Sequence, residues 1–373
     1  MFPWYQPAAI EALNRQAVTL LKLFAARGYA REEPSTLQPA ALFLDRSGED
    51  IRRRTFTLTD PSGRDLALRP DLTIPIAKRL VDLIIEEGGR ALPAHIAYNG
   101  AVFRYEPQAP EKPVQFFQAG VELFGEPDRA KGDAEILTLA IEALRAAGFK
   151  DFTLRMGDLG LFGALVDELE LPPHWRSRLK RHFWRPGYVE TLLDRIGHGA
   201  ESSRLPQDVK AIEKLLEAQG EAPLAGRSRA DVIARARAEA AEVLKLDGNV
   251  AGAITRLLAI SAPIETALAE IRALLKKAGI ALDAELTAVE ARLTMLKSLG
   301  VDPAKIEFNA HFGRSMEYYT GFVFELRTAN GATELAGGGR YDNLLELLGA
   351  PQPVTAVGCA IHTEKLLAAV GAA

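Results

Sequence analysis

Strand-like segments lie on both sides of a long helical block, and this arrangement constrains the fold more than any other feature of the sequence. From about residue 166 to residue 299 the chain is rich in Ala, Leu, Arg and Glu and has helical periodicity without a fixed repeat. Hairpin-like patterns precede and follow this block. Because such strands pair most simply within one core, the sequence predicts an α+β protein: an antiparallel sheet flanked by helices and interrupted by an inserted helical domain.

The first part of the chain predicts one long helix followed by a hairpin. Residues 7–26 place apolar side chains near one helical face, and Gly28 follows as a stop. Residues 55–58 and 65–68 alternate in the manner of strands and flank the turn-rich segment Asp60–Arg64. The pattern is typical of two short antiparallel strands joined by a tight turn.

The other predicted elements complete a division into three parts. We predict a helix after Pro70-Asp71, a helix over 133–147 capped by Asp133, and a terminal helix over 365–370. Further strands are predicted at residues 96–98, 101–105, 115–123, 152–156, 306–308, 323–326 and 354–360. The predicted domains are a core first half (1–165), a block of inserted and connecting helices (166–299) and a core second half (300–373).

Composition limits the kinds of partner and site. The chain has 45 Lys and Arg against 49 Asp and Glu, so its net charge of -4 argues against nucleic-acid binding by bulk electrostatics. The single cysteine, Cys359, lies in an apolar run where a buried thiol is expected, and no Cys/His cluster has zinc-ligand spacing. No leader or membrane-length apolar run is recognisable, so we expect a cytoplasmic protein without membrane, metal or cofactor.

Two pairs of polar residues fall on predicted neighbouring strands. Arg104 and Glu106 are two residues apart, and Gln118 and Glu122 are four apart, so each pair shares a face. Such side chains are costly to bury without a polar ligand or mutual pairing. These residues alone leave a binding site and a solvated sheet face equally open.

Three further groups could contact a ligand, but each also has a simple structural explanation. Asp71 and Thr73 stand at a helix start, where capping is the plainer interpretation. Arg314 with Tyr318 and Tyr319 could grip a carboxylate and a heteroaromatic ring, although an ordinary strand with core aromatics would have the same sequence. The run Gly337–Gly339 would let the backbone approach a ligand or another strand, and its spacing is neither a dinucleotide fingerprint nor a P-loop.

Taken in order, these motifs resemble the class II core of histidyl-tRNA synthetase. The resemblance covers most of residues 5–370 and is weakest in the helical block. It rests on five segments in the family's order: Arg69-Pro70-Asp71-Leu72-Thr73, Phe103-Arg104-Tyr105-Glu106, Gln118-Ala119-Gly120-Val121-Glu122, Arg314 to Gly321 and Gly337 to Asp342. It implies a class II aminoacyl-tRNA synthetase-like core and a homodimer built through the first motif, around Pro34 to Phe43.

The resemblance also implies a histidine site. Its residues would be Asp71, Thr73, Arg104, Gln118, Glu122, Arg314, Tyr318 and Tyr319. By analogy, Asp71, Thr73 and Gln118 hold the ammonium group. Glu122 and Tyr319 lie near the imidazole, and Arg104 and Arg314 face the carboxylate end. Asp71 is one methylene shorter than the family's usual glutamate.

The nucleotide side departs from the synthetase pattern. The loop Pro107–Val114 carries one lysine, one glutamate and three prolines where the enzymes have several arginines that clamp ATP. Lys365 stands where the family has a nucleotide-contacting arginine, and lysine lacks the planar fork. Because the sequence ends at Ala373, we also expect no anticodon-binding domain of the family's kind. We therefore expect no catalytic residues and no adenylation.

This combination resembles the regulatory subunits of ATP phosphoribosyltransferase, the synthetase-like paralogues of histidine biosynthesis. The resemblance implies a non-catalytic protein that activates the short-form catalytic subunit in a hetero-octamer and mediates feedback inhibition by histidine as effector. Neither tRNA nor a membrane is an expected partner. The alternative is a histidine-activating enzyme lacking an anticodon domain, which the retained Arg104 and Arg314 favour and which Lys365 opposes.

The sequence alone does not assign a role to one basic stretch in the helical block. Residues Arg176–Arg185 contain five formal positive charges among aromatic residues. Three interpretations stay open: a solvated helix face with Trp175 or Trp184 packed into the core, a surface that contacts RNA, or a surface that contacts the catalytic subunit.

Overall fold

The computed structural model describes most of the chain, with gaps in the helical block and in several loops. The described residues are 4–44, 48–87, 91–106, 109, 112–169, 171–183, 185, 187–197, 248–314, 316 and 318–372. The part of the predicted helical block between 198 and 247 therefore lies outside the described residues, and the domain boundaries at 165 and 299 stay predictions.

Within the described residues, the main sheet has nine strands in the order β1-β5-β6-β12-β11-β10-β7-β9-β8, and a small sheet has the order β2-β4-β3. The strands are β1 (Ala30–Arg31), β2 (Leu37–Pro39), β3 (Thr57–Thr59), β4 (Asp65–Leu68), β5 (Ala94–Phe103), β6 (Gln115–Phe124), β7 (Phe152–Asp158), β8 (Ser261–Pro263), β9 (Ile306–Asn309), β10 (Phe322–Thr328), β11 (Glu334–Arg340) and β12 (Ala356–His362). All pairs in the main sheet are antiparallel except β1 with β5 and β7 with β9. The predicted α+β class is confirmed.

Helices flank the sheet. They are α1 (Pro7–Ala26), α2 (Ala41–Leu44), α3 (Gly48–Arg54), α4 (Thr73–Glu87), α5 (Arg129–Ala146), α6 (Leu159–Asp167), α7 (Pro173–His182), α8 (Tyr188–Gly197), α9 (Gly248–Leu258), α10 (Ile264–Ala278), α11 (Asp283–Ser298), α12 (Leu344–Leu347) and α13 (Thr363–Ala372). Among the described residues, none of the helices is long and apolar enough to cross a membrane.

The predicted opening elements are confirmed. Helix α1 covers residues 7–26 as expected, and Gly28 follows it with a φ of 86°, a left-handed conformation that favours glycine. Strands β3 and β4 form the predicted hairpin. The segments predicted separately at 96–98 and 101–105 belong to one strand, β5, because Asn99 and Gly100 continue the ladder opposite Ala119 and Gln118.

The predicted capping role of Asp133 is wrong. Helix α5 begins one turn earlier, where the Asp128 side chain accepts a hydrogen bond from the backbone N–H of Lys131 at 3.1 Å. Asp133 instead lies inside the helix and is fully buried. Its carboxylate accepts hydrogen bonds from Arg292 (2.7 Å) and Arg340 (2.9 Å), so its charge is compensated within the core.

This buried ion network joins four elements beneath the sheet. Arg292 on α11 also donates to Asp158 at the end of β7 (2.9 Å), and Arg340 on β11 donates to Asp342 (2.7 Å).

Strand β8, which lies within the predicted helical block, pairs with β9 at the edge of the main sheet. The later part of that block therefore packs directly on the core.

Candidate functional site

A cavity of about 650 Å³ lies over the face of the main sheet formed by β6, β12 and β11. The start of α4 and the loop between β9 and β10 complete its walls. The structure brings all eight residues that the sequence predicted around this cavity: Asp71, Thr73, Arg104, Gln118, Glu122, Arg314, Tyr318 and Tyr319. These residues come from three distant parts of the chain. They meet because only β12 and β11 separate β6 from β10 in the sheet, so the loop before β10 reaches the same cavity as Gln118 and Glu122 on β6.

Asp71 presents an unsatisfied carboxylate oxygen at the cavity. Its Oδ1 accepts the backbone N–H of Ile74 at 2.9 Å, which is the capping role expected at the start of α4. Its Oδ2 is buried and has no hydrogen-bond partner within the described residues. Burial raises the pKa of this carboxyl from 3.8 to about 6, against the smaller opposing effects of the Ile74 N–H and the charge of Arg104. An unpartnered buried oxygen of this kind favours a ligand that donates hydrogen bonds.

Glu122 is held by two hydroxyl groups. Thr73 Oγ1 donates to one oxygen at 2.6 Å, and the Tyr341 hydroxyl donates to the other. A side chain at Gly358 would collide with this carboxylate, so glycine on β12 makes the space in which it lies. Burial raises the pKa of Glu122 to about 7, and the hydroxyl donors oppose that shift only in part.

Arg104 lies just past the end of its predicted strand. Strand β5 ends at Phe103, whose register partner is Gln115, so the prediction that Arg104 and Glu106 share a strand face is wrong. The Arg104 Nε donates to the Pro70 carbonyl oxygen at 2.6 Å, and the guanidinium lies 5.4 Å from the centroid of the Phe116 ring. Within the described part of the chain, the terminal nitrogens of this anchored guanidinium are available to an anion in the cavity. Glu106 forms an ion pair with Arg54 at 3.2 Å.

Arg314 lies in the loop before β10 and is paired with an acid. Its Nη2 donates to Glu334 at 2.7 Å. Burial raises the pKa of Glu334, but the charge and hydrogen bond of Arg314, together with His362 and Lys365, outweigh that effect, and the pKa falls to about 2. A side chain at Gly337 would collide with the Arg314 guanidinium. The glycine run lies on β11, where the lack of a side chain at Gly337 leaves room for the Arg314 guanidinium.

Aromatic side chains and an amide complete the walls. Tyr318 lies 4.9 Å from Tyr319 and 5.5 Å from Tyr341 between ring centroids, the latter contact being edge-to-face. Gln118 is buried on β6, on the same strand face as Glu122, and is the register partner of His362. The predicted residues thus bring two carboxylates, two arginines and two tyrosines to one cavity beside Tyr341, a combination that suits a zwitterion with a planar ring.

The sequence missed three residues of this site. Tyr341 belongs to a quoted motif but was not predicted to contact the cavity, and its partnership with Glu122 follows from the antiparallel pairing of β11 and β12. Glu334 carried no local signal. His362 lies 4.0 Å from Glu334, and burial together with nearby cations lowers its pKa to about 3, so its ring is neutral.

Positive charge is not in excess among the described residues that line the cavity. Burial lowers the pKa of Lys365, which stands in the first turn of α13. The charged residues that line the cavity within the described part of the chain are five cations and six acids: Arg54, Arg104, Lys112, Arg314 and Lys365, and Asp71, Glu106, Glu122, Glu325, Glu334 and Glu364. Glu325 is itself held by Arg155 and Arg327, each at 3.2 Å.

The basic stretch lies on α7, outside this cavity. Arg176 and Lys180 share Asp167 as partner, at 3.8 and 2.5 Å, and the Arg178 guanidinium lies 5.5 Å from the centroid of the Trp175 ring. Trp175 is partly buried against the main core, whereas Trp184 lies outside the described residues. Asp167 thus partly neutralises the positive charge of the described part of α7. Among the described residues, no cluster of His, Cys, Asp and Glu could hold a metal ion.

The chain is similar to histidyl-tRNA synthetases in both sequence and fold. The family model for histidyl-tRNA synthetase matches residues 4–246 and 208–366. A solved structure from Bacillus halodurans, described as an ATP phosphoribosyltransferase regulatory subunit/histidyl-tRNA synthetase, has a TM-score of 0.72 at 24% identity and covers 99% of this chain and 82% of that one. Histidyl-tRNA synthetase from Nostoc has a TM-score of 0.66 at 17% identity, covering 98% of this chain and 73% of that one. The fold is that of the histidyl-tRNA synthetase class.

Sequence relatives then define the branch within this class. The ATP phosphoribosyltransferase regulatory subunit of Allorhizobium ampelinum is 35% identical in an alignment 365 residues long, which covers 94% of this chain and 96% of that protein. The protein of the same name from Mesorhizobium japonicum is 36% identical over 367 residues, with the same coverage of 94% and 96%. The chain belongs to the family of ATP phosphoribosyltransferase regulatory subunits.

Proposed function

We propose that this chain is a cytoplasmic, non-catalytic regulatory subunit that senses histidine. It activates the short-form catalytic subunit of ATP phosphoribosyltransferase, assembles with it into a hetero-octamer, and confers feedback inhibition by histidine on the first step of histidine biosynthesis. Two kinds of observation support the proposal: the names of relatives that match nearly the whole chain, and the chemistry of the cavity.

The observation that carries the sensing role is the pairing of an unsatisfied carboxylate with an anchored guanidinium. The free Oδ2 of Asp71 accepts the ammonium group of an amino acid, with Thr73 and Gln118 beside it. Arg104, fixed through Pro70, binds the carboxylate, and Arg314 extends the positive field on that side. Both ends of an α-amino acid are thereby held by charge-assisted hydrogen bonds.

The ring of the amino acid fits the remaining part of the cavity. Glu122 and the cluster of Tyr318, Tyr319 and Tyr341 surround a space that is apolar at its walls and carries one strong acceptor. An imidazole offers an N–H to that acceptor and a flat face to the tyrosines. Aliphatic amino acids would offer no N–H donor to Glu122, whose buried charge would then be stabilised only by the Thr73 and Tyr341 hydroxyl groups.

The charge balance supports the absence of adenylation. ATP brings several negative charges, and recognition of its phosphates depends on surplus Arg and Lys. The cavity cations are matched by acids, and Arg54 and Arg314 are already paired with Glu106 and Glu334. An adenylate would therefore form against an electrostatic penalty.

Histidine regulates the partner only if it binds two states of the complex with different affinities. We propose that the histidine-bound cavity favours the less active arrangement of the complex. By linkage, the effect is reciprocal. The factor by which histidine shifts the complex toward the less active state is also the factor by which that state binds histidine more tightly than the active state does.

Isothermal titration of the purified chain with histidine tests the sensing role. We expect binding by wild type and a loss of at least ten-fold in affinity for Glu122→Ala. The matched control is Glu135→Ala: Glu135 accepts a hydrogen bond from the Tyr29 hydroxyl at 2.8 Å, an analogous carboxylate–phenol pair that does not line the cavity. Equal affinity in wild type and Glu122→Ala would place the site elsewhere.

Mixing with a short-form catalytic subunit tests the regulatory role. We expect co-elution, a gain in the rate of phosphoribosyl transfer, and inhibition of the complex by histidine that Glu122→Ala abolishes. Absence of both co-elution and rate gain contradicts the proposal. Histidine-dependent ATP–pyrophosphate exchange by the purified chain would instead establish the alternative, a histidine-activating enzyme.

We further propose that the chain forms a homodimer around Pro34 to Phe43. Strand β2 lies in this segment at one edge of the small sheet, where Leu37 is exposed. An exposed strand edge with an apolar side chain favours pairing with another chain. Light scattering during size exclusion should give a dimer mass for wild type and a shift toward monomer for Leu37→Lys.

A further inference from the structure

Two buried carboxylates of the cavity, Asp71 and Glu122, have no cationic partner among the described residues. Glu364 also forms no ion pair among these residues, but it is less buried and accepts hydrogen bonds from the Tyr5 hydroxyl and the Phe117 N–H. Within the described residues, neither Asp71 nor Glu122 forms an ion pair, and both are almost fully buried, at 3% and 1% exposure. Glu106 and Glu334, by contrast, are paired with Arg54 and Arg314. Among the described residues, no cation neutralises the charge of either carboxylate, so a ligand or a proton is needed to do so.

Neutral histidine neutralises only one of these two charges. Its ammonium group compensates Asp71, and its carboxylate compensates Arg104, the anchored cation that has no acid partner among the described residues. Glu122 then remains as a buried charge against the ring. Its oxygens already accept hydrogen bonds from Thr73 and Tyr341, and such donors favour the ionised form of a carboxyl group.

We infer that the cavity binds histidine with its ring as an imidazolium, paired with ionised Glu122. This inference rests on the proposed function, and it specifies the class of ligand more narrowly: amino acids whose ring base takes up a proton near neutral pH. Glu122 then selects for ring basicity, whereas the tyrosines select for shape.

No other titratable group around Glu122 supplies the proton. Burial raises the pKa values of the tyrosines and of the thiol that face it, so these groups stay neutral; they are Tyr29, Tyr98, Tyr318, Tyr319, Tyr341 and Cys359. Asp71, the remaining neighbour, has a pKa of about 6 and is ionised when an ammonium group lies against it. Above about pH 7.5, where the free ring is neutral, the proton must come from solvent.

Two measurements on the wild-type chain test the inference. Nuclear magnetic resonance of bound ¹⁵N-labelled histidine should give similar shifts for both ring nitrogens, the signature of an imidazolium, at about pH 8 where free histidine is neutral. Titration in buffers with different ionisation enthalpies should give an uptake close to one proton, so that affinity falls about ten-fold per pH unit above pH 8. A bound ring with one bare nitrogen and no proton uptake overturns the inference and leaves the histidine-sensing proposal intact, whereas absence of histidine binding overturns both.

An analogue and a matched pair of variants complete the test. β-(1,2,4-Triazol-3-yl)-alanine has nearly the shape of histidine but a much less basic ring, and we expect at least ten-fold weaker binding. Glu122→Gln should abolish proton uptake and remove the preference for histidine over the triazole, while Glu135→Gln, outside the cavity, should change neither. Equal affinity of wild type for the two amino acids would contradict selection by ring basicity.

Discussion

Asp71→Asn should make the chain more stable while it weakens histidine binding. The pKa of the carboxyl rises from 3.8 to about 6 because burial disfavours its charged form. Each pKa unit corresponds to about 1.4 kcal/mol, so keeping this group ionised in the folded state costs on the order of 3 kcal/mol. Asparagine keeps the acceptor for the Ile74 N–H but buries an unpartnered amide, which costs about 1 kcal/mol. The expected net gain is about 2 kcal/mol.

The sign of the pH dependence follows from the direction of the shift. Between the unfolded pKa of 3.8 and the folded pKa of about 6, the native Asp71 holds more proton than the unfolded chain. The contribution of this group to the free energy of unfolding therefore falls as pH rises through that window. The stabilising effect of Asp71→Asn should be absent near pH 4 and complete near pH 8.

Urea unfolding at these two pH values measures the effect, and titration with histidine measures the functional loss, which we expect to be at least ten-fold. Asp128→Asn is the matched control: Asp128 caps α5 from a solvent-exposed position, where Asn caps equally well. That variant should change neither stability nor affinity appreciably. Equal stability changes for Asp71→Asn at both pH values, or unchanged histidine affinity, would refute the reasoning that Asp71 is an uncompensated ligand for the ammonium group.

Three other predictions follow from the same geometry. Gly358→Ala should displace the Glu122 carboxylate and weaken histidine binding at least ten-fold by titration, whereas Gly163→Ala, where the new methyl group meets only a distant part of one lysine, should leave affinity unchanged and stabilise α6 by about 0.5–1 kcal/mol. Arg340→Met should lower the free energy of urea unfolding by about 3–5 kcal/mol because it leaves Asp133 short of a partner. Cys359 should resist thiol reagents in the folded chain and react only on unfolding, since burial raises its pKa to about 12.

Local patterns predicted the elements well and the register of polar groups poorly. Helix α1 and the β3–β4 hairpin follow from periodicity and glycine placement, which act within a few residues. Asp133 and Asp128 both satisfy a capping pattern, and only the packing of Arg292 and Arg340 against α5 distinguishes the buried carboxylate from the cap. A sequence pattern cannot represent that difference because the partners lie more than 150 positions away.

The candidate site was likewise predicted only in part from the sequence. The resemblance to a synthetase core led to all eight predicted residues, and the structure places them around one cavity. Glu334, which fixes Arg314, and Tyr341, which holds Glu122, were not predicted. Their roles depend on which strands neighbour β11, and that order comes from long-range pairing rather than local preference.

The sequence by itself determined the class of fold, the order of the motifs and the kinds of chemical group available to a ligand. Tertiary structure alone decided which charges are compensated. Arg314 and Arg54 pair with acids in the folded chain, whereas Asp71 and Glu122 line the cavity without a cationic partner among the described residues. The physical reason is that charge compensation depends on distance and burial in three dimensions, and neither quantity is encoded in the spacing of residues along the chain.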